Sequence, residues 1–220
     1  MKNLVLAVGL LVFSAFAATA QTTTADDHKK GEFYVGYSNG QVDTGLDSGN
    51  SVSSFFRDRK NFNGVNVSGV YNLNRYFGLK GDVSATFNGT TFSSSYTNPT
   101  TGTTSRASFD TSNQLWNFVG GVQVKDNAKS GTFKPFAHAM VGAGHARTKV
   151  KDVVCTPSTT LCPIVPGTFS DTGLSGVFGG GLDFRVSDRF QIRAIQVDYN
   201  PIRFDGQTDH NLRIGAGIVF

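Results

Sequence analysis

The chain of 220 residues is 39% hydrophobic and only 16% charged, with 26 Gly and 19 Phe, whereas a water-facing surface usually carries roughly 25–35% charged residues. Its formal net charge of +4, with no nucleic-acid motif beside it, gives no reason to expect a nucleic-acid partner. Two methionines and a lack of long helix-forming runs argue against a helical protein.

The first 20 residues combine Lys2, an apolar run from Leu4 to Phe16, and Ala18-Thr19-Ala20 as a small-residue cleavage site, the pattern of a secretory signal peptide. The run is too short and lacks the positive flanks expected of a membrane anchor. Residues 21–30, QTTTADDHKK, are polar and aperiodic and read as a flexible lead-in. From residue 31 a period of two sets in, the signature of strands with two unlike faces.

Phe33, Val35 and Tyr37 alternate in the first segment, and Val65, Val67, Gly69, Tyr71 and Leu73 in the second. Phe77, Leu79, Gly81, Val83, Ala85 and Phe87 follow, interleaved with Lys80, Asp82, Ser84 and Thr86. Trp116, Phe118, Gly120, Val122 and Val124 form the fourth apolar row. In the fifth, Pro135, Ala137, Ala139, Val141 and Ala143 oppose Lys134, His138 and Gly142. Next, Cys155 and Cys162 bracket the stretch CTPSTTLC. In an exported chain that spacing suggests a disulfide closing a small loop. The sixth segment sets Phe178, Gly180, Leu182, Phe184 and Val186 against Asp183 and Arg185. The seventh, FQIRAIQVDY, loses its alternation near Ile195 and Gln196, as a bulge would produce. The eighth, RIGAGIVF, alternates to the final Phe220 and is expected to pair back to residues 31–39.

The connections alternate in length. Short links join segments two to three, four to five and six to seven. Polar stretches at about 39–61, 88–112 and 146–172, with a moderate one at 200–209, make the others. Such a layout predicts an all-β fold, an eight-stranded antiparallel up-and-down transmembrane β-barrel with short periplasmic turns and long extracellular loops over 31–220. Period two alone is equally compatible with a secreted lipocalin-like carrier, whose apolar face points inward. Low charge, the export signal, and aromatics at segment ends (Tyr71, Phe77, Phe87, Trp116, Phe190, Phe220) favour the apolar face outward, since such rings sit where lipid meets water.

The alternating segments, the stretches KPFAHAMVGAGHA and GGGLDFRVSDRFQIRAIQVDY, and the terminal aromatic resemble the small eight-stranded outer-membrane β-barrel proteins. That family is related to the transmembrane domain of OmpA and to the opacity-type surface proteins. The resemblance implies an outer-membrane location, a role for Phe220 as the signal read by the barrel-assembly machinery, and no catalytic residues. With no second domain after the barrel, peptidoglycan binding is not carried over.

An eight-stranded barrel is filled by its own side chains. Lys80, Asp82, Asp183, Arg185, Arg193 and Arg213 are therefore expected to form a polar network in the lumen. His138 and His145, seven apart, face opposite sides, so neither a metal site nor a cofactor site is expected; no nucleophile, zinc or phosphate-loop motif is present. Arg147, Lys149 and Lys151 continue the lipid-facing parity of Val141 and Ala143 beyond the membrane. They could contact lipopolysaccharide phosphates, together with Arg57 and Arg59. The function expected is that of a structural or surface-interaction protein, monomeric, with outer-membrane lipid and lipopolysaccharide as partners. A small channel or carrier for small solutes is the alternative.

Overall fold

A computed structural model describes residues 28–43, 59–102, 104–128, 131–156, 166–187 and 189–220. The expected signal peptide, Arg57 and Cys162 lie outside them. The described residues form eight strands: β1 (Gly31–Val42), β2 (Lys60–Asn72), β3 (Phe77–Thr97), β4 (Thr104–Lys125), β5 (Phe133–Thr156), β6 (Gly167–Arg185), β7 (Gln191–Phe204) and β8 (Gln207–Val219). Each pairs antiparallel with its neighbour, and β8 returns to β1 to close the barrel. Tyr34 to Gln41 pair with Val219 to Leu212, and Phe33 and Phe220 exchange backbone hydrogen bonds at 2.8 and 3.1 Å. Closure leaves no edge strand, which lipid could not satisfy.

The two faces sort as the alternation requires. On β3, Phe77, Leu79, Val83 and Phe87 are exposed outward while Gly78, Lys80, Asp82, Ser84 and Thr86 are buried. On β8, Ile214, Ile218 and Phe220 face outward while Asn211, Arg213 and Val219 are buried. An outward apolar surface is the inverse of a lipocalin-like carrier, and that alternative is set aside. Two aromatic levels bound this surface: Tyr76, Phe77, Phe133 and Phe220 near the short turns, and Phe87 with Trp116 packed edge-on against it at the other end. Phe77 to Phe87 is about 33 Å of strand at 3.3 Å per residue, which at a tilt of about 40° covers about 25 Å of membrane.

Short polar side chains close the tight turns. Asn74 Oδ1 accepts from the amides of Tyr76 and Phe77 at 2.8 and 2.9 Å, and Ser187 Oγ from those of Arg189 and Phe190 at 3.2 and 3.3 Å. Residues 28–30 fall within the expected flexible lead-in, yet they are held against these turns. His28 bridges Ala128, the Asn72 amide donates to Lys30 O at 2.8 Å, and the Lys29 amide donates to Asn127 O at 3.4 Å.

At the opposite end the strands run further than the sequence suggests. The stretch 88–112, expected as a loop, is mostly a paired extension of β3 and β4, with Asn88 opposite Asn113 through Thr97 opposite Thr104. Likewise β5 and β6 remain paired out to Lys149 opposite Thr168 and Val150 opposite Gly167. Beyond the membrane no apolar row is needed, so the period fades while β-branched Thr and aromatic Phe still favour extended pairing. The moderate loop expected at 200–209 reduces to a two-residue turn, Asp205 (φ 41°) and Gly206 (φ 89°), both left-handed as a twisted hairpin prefers.

The bulge expected near Ile195 is present, as a register shift between Arg193 and Gln196. Ala194 and Ile195 both point outward, so Arg193 and Gln196, three apart, both point inward. A further shift lies between Leu182 and Asp183.

Candidate functional site

Charged residues interleaved with lipid-facing ones can only point into the barrel, where they must find partners. Nearest the short turns, Lys125 Nζ donates to both Glu32 oxygens at 2.9 and 3.0 Å, to Asp183 Oδ2 at 2.8 Å and to Gln191 Oε1 at 3.0 Å. Arg193 grips the same Asp183, through Nε at 2.8 Å and Nη2 at 3.1 Å, and donates Nη1 to Gln196 Oε1 at 2.8 Å. Its guanidinium is sandwiched between the rings of Tyr34 and Phe136, 4.3 and 4.0 Å from their centroids.

One level further in, Arg213 joins two carboxylates. Nη1 donates to Asp82 Oδ1 at 2.8 Å, and Nε and Nη2 donate to Asp198 Oδ2 at 2.9 and 2.7 Å. Asn66 and Gln196 add donors to Asp82 and Asp198 at 2.9 and 2.7 Å. His138 Nε2 lies 2.9 Å from Asp198 Oδ1, and Lys80 Nζ lies 3.1 Å from His138 Nδ1. An ammonium can only donate, so Nδ1 accepts and Nε2 carries the proton toward Asp198. Gly179 makes room for this carboxylate: a Cβ there would stand 2.2 Å from Asp198 Oδ1.

Toward the far end the lining becomes neutral. Asn200 Nδ2 donates to Ser175 Oγ, which donates to Asn117 Oδ1, both at 2.9 Å. Phe62, Leu115 and Ile202 then form a buried apolar cluster, with Val42, Ala146 and Phe204 packed around it.

Of the residues expected in the lumen, Lys80, Asp82, Asp183, Arg193 and Arg213 are all brought together. Arg185 sits apart at the short-turn mouth, lining a cavity with Lys29, Glu32 and Lys134. Sequence reasoning missed Glu32 and Lys125, which share the inward parity of their strands, and Gln196 and Asp198, which the β7 bulge turns inward. His138, expected only to face away from His145, is the link between Lys80 and Asp198. A histidine two residues from Phe136 on the inward row carries no sequence signal of a partner 60 residues away. Among the described residues, no group of three or more His, Cys, Asp or Glu is placed to hold a metal ion.

Outside the membrane, Arg75 and Asp126 tie two short turns together, with Nε to Oδ1 at 2.8 Å and Nη2 to Oδ2 at 3.0 Å. The Arg75 hydrogen bonds, and that from the Ala128 amide, hold the Asp126 carboxyl down to about 2. At the other end, Arg147, Lys149 and Lys151 lie exposed on β5. Gln114, Ser112 and Asp110 face them on β4, and Ser170 and Thr168 face Arg147 and Lys149 on β6. Arg59 Nη1 donates to Gln41 O at 3.2 Å across β1 and β2, away from that row. Cys155 lies near the end of β5; its expected partner Cys162 lies outside the described residues.

A family model for the outer membrane protein beta-barrel domain matches residues 8–220. Among solved structures, Ail of Yersinia pestis in complex with the heparin analogue sucrose octasulfate superposes with a TM-score of 0.51 at 20% identity. The match covers 87% of this chain and 100% of that one. Neisserial surface protein A (TM-score 0.45, 12% identity, 87% and 96% covered) and OprG of Pseudomonas aeruginosa (0.44, 14%, 87% and 96%) also match. At these identities the Ail likeness speaks for the fold alone. No curated protein matches the chain.

Proposed function

Since the chain belongs to the outer membrane protein beta-barrel domain family, we propose that it is a structural or surface-interaction protein of the outer membrane. It acts through the hairpins that project beyond the outer aromatic level, with a lumen closed by its own side chains. The observation that carries this reading is the ladder of buried ion pairs from Glu32 to Asp82, capped by the Phe62, Leu115 and Ile202 cluster. It spans the interior, while the outer parts of β3 to β6 stay paired and exposed. Planar-bilayer recordings of the refolded protein test it: no discrete openings are expected, and reproducible ones would favour a channel or carrier for small solutes instead.

The exposed row Arg147, Lys149 and Lys151 is proposed to hold lipopolysaccharide phosphates by charge-assisted hydrogen bonds. Its position supports this: it extends the outward face of Val141 and Ala143 just past the aromatic level. Reversing all three charges should cut the lipopolysaccharide retained by purified protein several-fold. Retention equal to wild type would remove the row from the reading. Sucrose octasulfate, the polyanion of the Ail complex, serves as competitor in the same assay.

Export through a cleaved leader over 1–20, pairing of Cys155 with Cys162, recognition of Phe220 by the barrel-assembly machinery, and a monomeric state complete the proposal. No catalytic step is assigned.

A further inference from the structure

Residues 28–30 do more than rest on the short turns: they reach across the mouth of the barrel. Followed backwards from Gly31, the start of β1, the chain arrives at an antiparallel bridge between His28 and Ala128. Ala128 belongs to the turn between β4 and β5, strands that lie three and four places from β1 around the ring. The turn leans inward to meet it, since the inward-pointing Lys134 Nζ donates to Asp126 O and Ala128 O at 3.0 and 2.5 Å. We propose that residues 28–30 are a strap that opens and closes over this mouth while the barrel stays folded. Its opening admits small water-soluble molecules to the Glu32–Lys125 end of the ion-pair ladder.

The weakness of the closing contacts is the first ground. Asn72 donates its amide to Lys30 O and its Nδ2 to Lys29 O, both at 2.8 Å. The Lys29 amide reaches Asn127 O at 3.4 Å, beyond the usual range of an N–H···O bond. Little apolar side chain is buried in the contact, Ala128 contributing a single methyl group. Segments near a chain end that are held in this way open locally, at a smaller free energy than global unfolding.

Burial without partners is the second. Asn72 and Asn127, which hold the strap, are 1% and 4% exposed, yet Asn72 Oδ1 and both polar side-chain atoms of Asn127 lack hydrogen-bond partners. Such groups destabilise the arrangement that buries them. Lifting the strap returns them to water, so closure is opposed at the residues that secure it.

Space beneath the strap is the third. A cavity of about 380 Å³ is lined by Lys29 and Ala128 from the contact and by Glu32 and Gln191 from the barrel wall. Glu32 and Gln191 both accept from Lys125 Nζ, so the cavity ends on the first rung of the ladder. The far end of the lumen stays covered by the Phe62, Leu115 and Ile202 cluster. Opening the strap therefore gives entry without through-passage, and its test is independent of the conductance recordings.

Two measurements on the full mature chain in detergent test the strap. Hydrogen exchange followed by NMR should show the Lys29 and Asn72 amides, both bonded across it, exchanging at least tenfold faster than the Val70 amide of the adjoining ladder. Protection equal to that of Val70 would overturn the proposal. Gln191→Cys, in the cavity wall, should react with a methanethiosulfonate ethylammonium reagent at least tenfold faster when Lys29→Pro removes the amide that reaches Asn127 O. Ser84→Cys, deeper in the lumen, should stay unreactive with and without Lys29→Pro. Heat-modifiable mobility on a gel shows that each variant is folded. A Gln191→Cys rate unmoved by Lys29→Pro would sink the idea. So would a Ser84→Cys that gains reactivity alongside it, because the whole barrel would then have loosened.

Discussion

Replacing Arg213 by leucine tests whether the ion-pair ladder holds the barrel interior together. Arg213 is 5% exposed and is the cation shared by Asp82 and Asp198, through contacts of 2.7 to 2.9 Å. Leucine leaves both carboxylates buried at one level, with Asn66, Gln196 and His138 as the nearby groups that remain. Removing one partner of a buried pair costs about 3–5 kcal/mol, mostly because the other charge stays in a low dielectric. With a urea slope of about 2–3 kcal/mol/M, the unfolding midpoint of the protein in lipid vesicles should fall by about 1–2 M. The triple variant R213L/D82N/D198N carries none of the three charges and should recover most of that loss, since isosteric neutral replacement of a buried network is often near neutral. A loss below about 1 kcal/mol for R213L, the range of a surface pair, would refute the reasoning. So would a triple variant no more stable than R213L.

The exposed Arg75–Asp126 pair should behave oppositely: Arg75→Ala should change stability by less than about 1 kcal/mol. Because Asp126 is held down to about 2 in the folded state, the stabilisation it contributes is complete above its unfolded value near 3.9 and is lost as pH falls through about 2. In Arg75→Ala, carbon-13 titration should show the Asp126 midpoint moving up toward 3.9; an unmoved midpoint would mean that the Ala128 amide alone sets it. Deleting Ile195 removes the bulge residue and leaves Arg193 and Gln196 still inward, so the variant should keep its gel mobility shift. Deleting Val83 flips the far half of β3 to the wrong face and should abolish folding. Loss of Phe220 removes two closing hydrogen bonds to Phe33 and an outward aromatic. Pulse-labelled insertion should drop far more than on trimming residues 21–27, and equal insertion of the two truncated chains would show that the last residue is not read.

What the alternation could reveal was the side of the sheet on which each residue lies. Period two placed Lys80, Asp82, Asp183, Arg193 and Arg213 inward and Phe77, Leu79, Val83 and Phe87 outward because a strand offers only two directions. It even located the β7 bulge from the broken rhythm at Ile195. The outer hairpins were less legible, for once the membrane ends neither face has to be apolar and Ser–Thr stretches such as 88–97 lose their contrast. The Asp205-Gly206 turn was legible and went unread: Asp-Gly between two alternating runs is itself a hairpin signal.

Partnership was decided only by closure. Arg213 meets Asp82, 131 residues away, and Lys125 meets Glu32, 93 away, because the curvature, tilt and stagger of eight strands bring opposite walls within side-chain reach. No local pattern encodes those distances. The cavity at the mouth has the same origin: Lys29, Asn127, Lys134 and Arg185 come from the lead-in, a turn and two strands, and only the closed ring gathers them around one space. The sequence by itself determined the faces of each strand and hence a barrel greasy on its outside. The tertiary structure determined which charges neutralise one another across the lumen, because that depends on geometry summed around the whole ring.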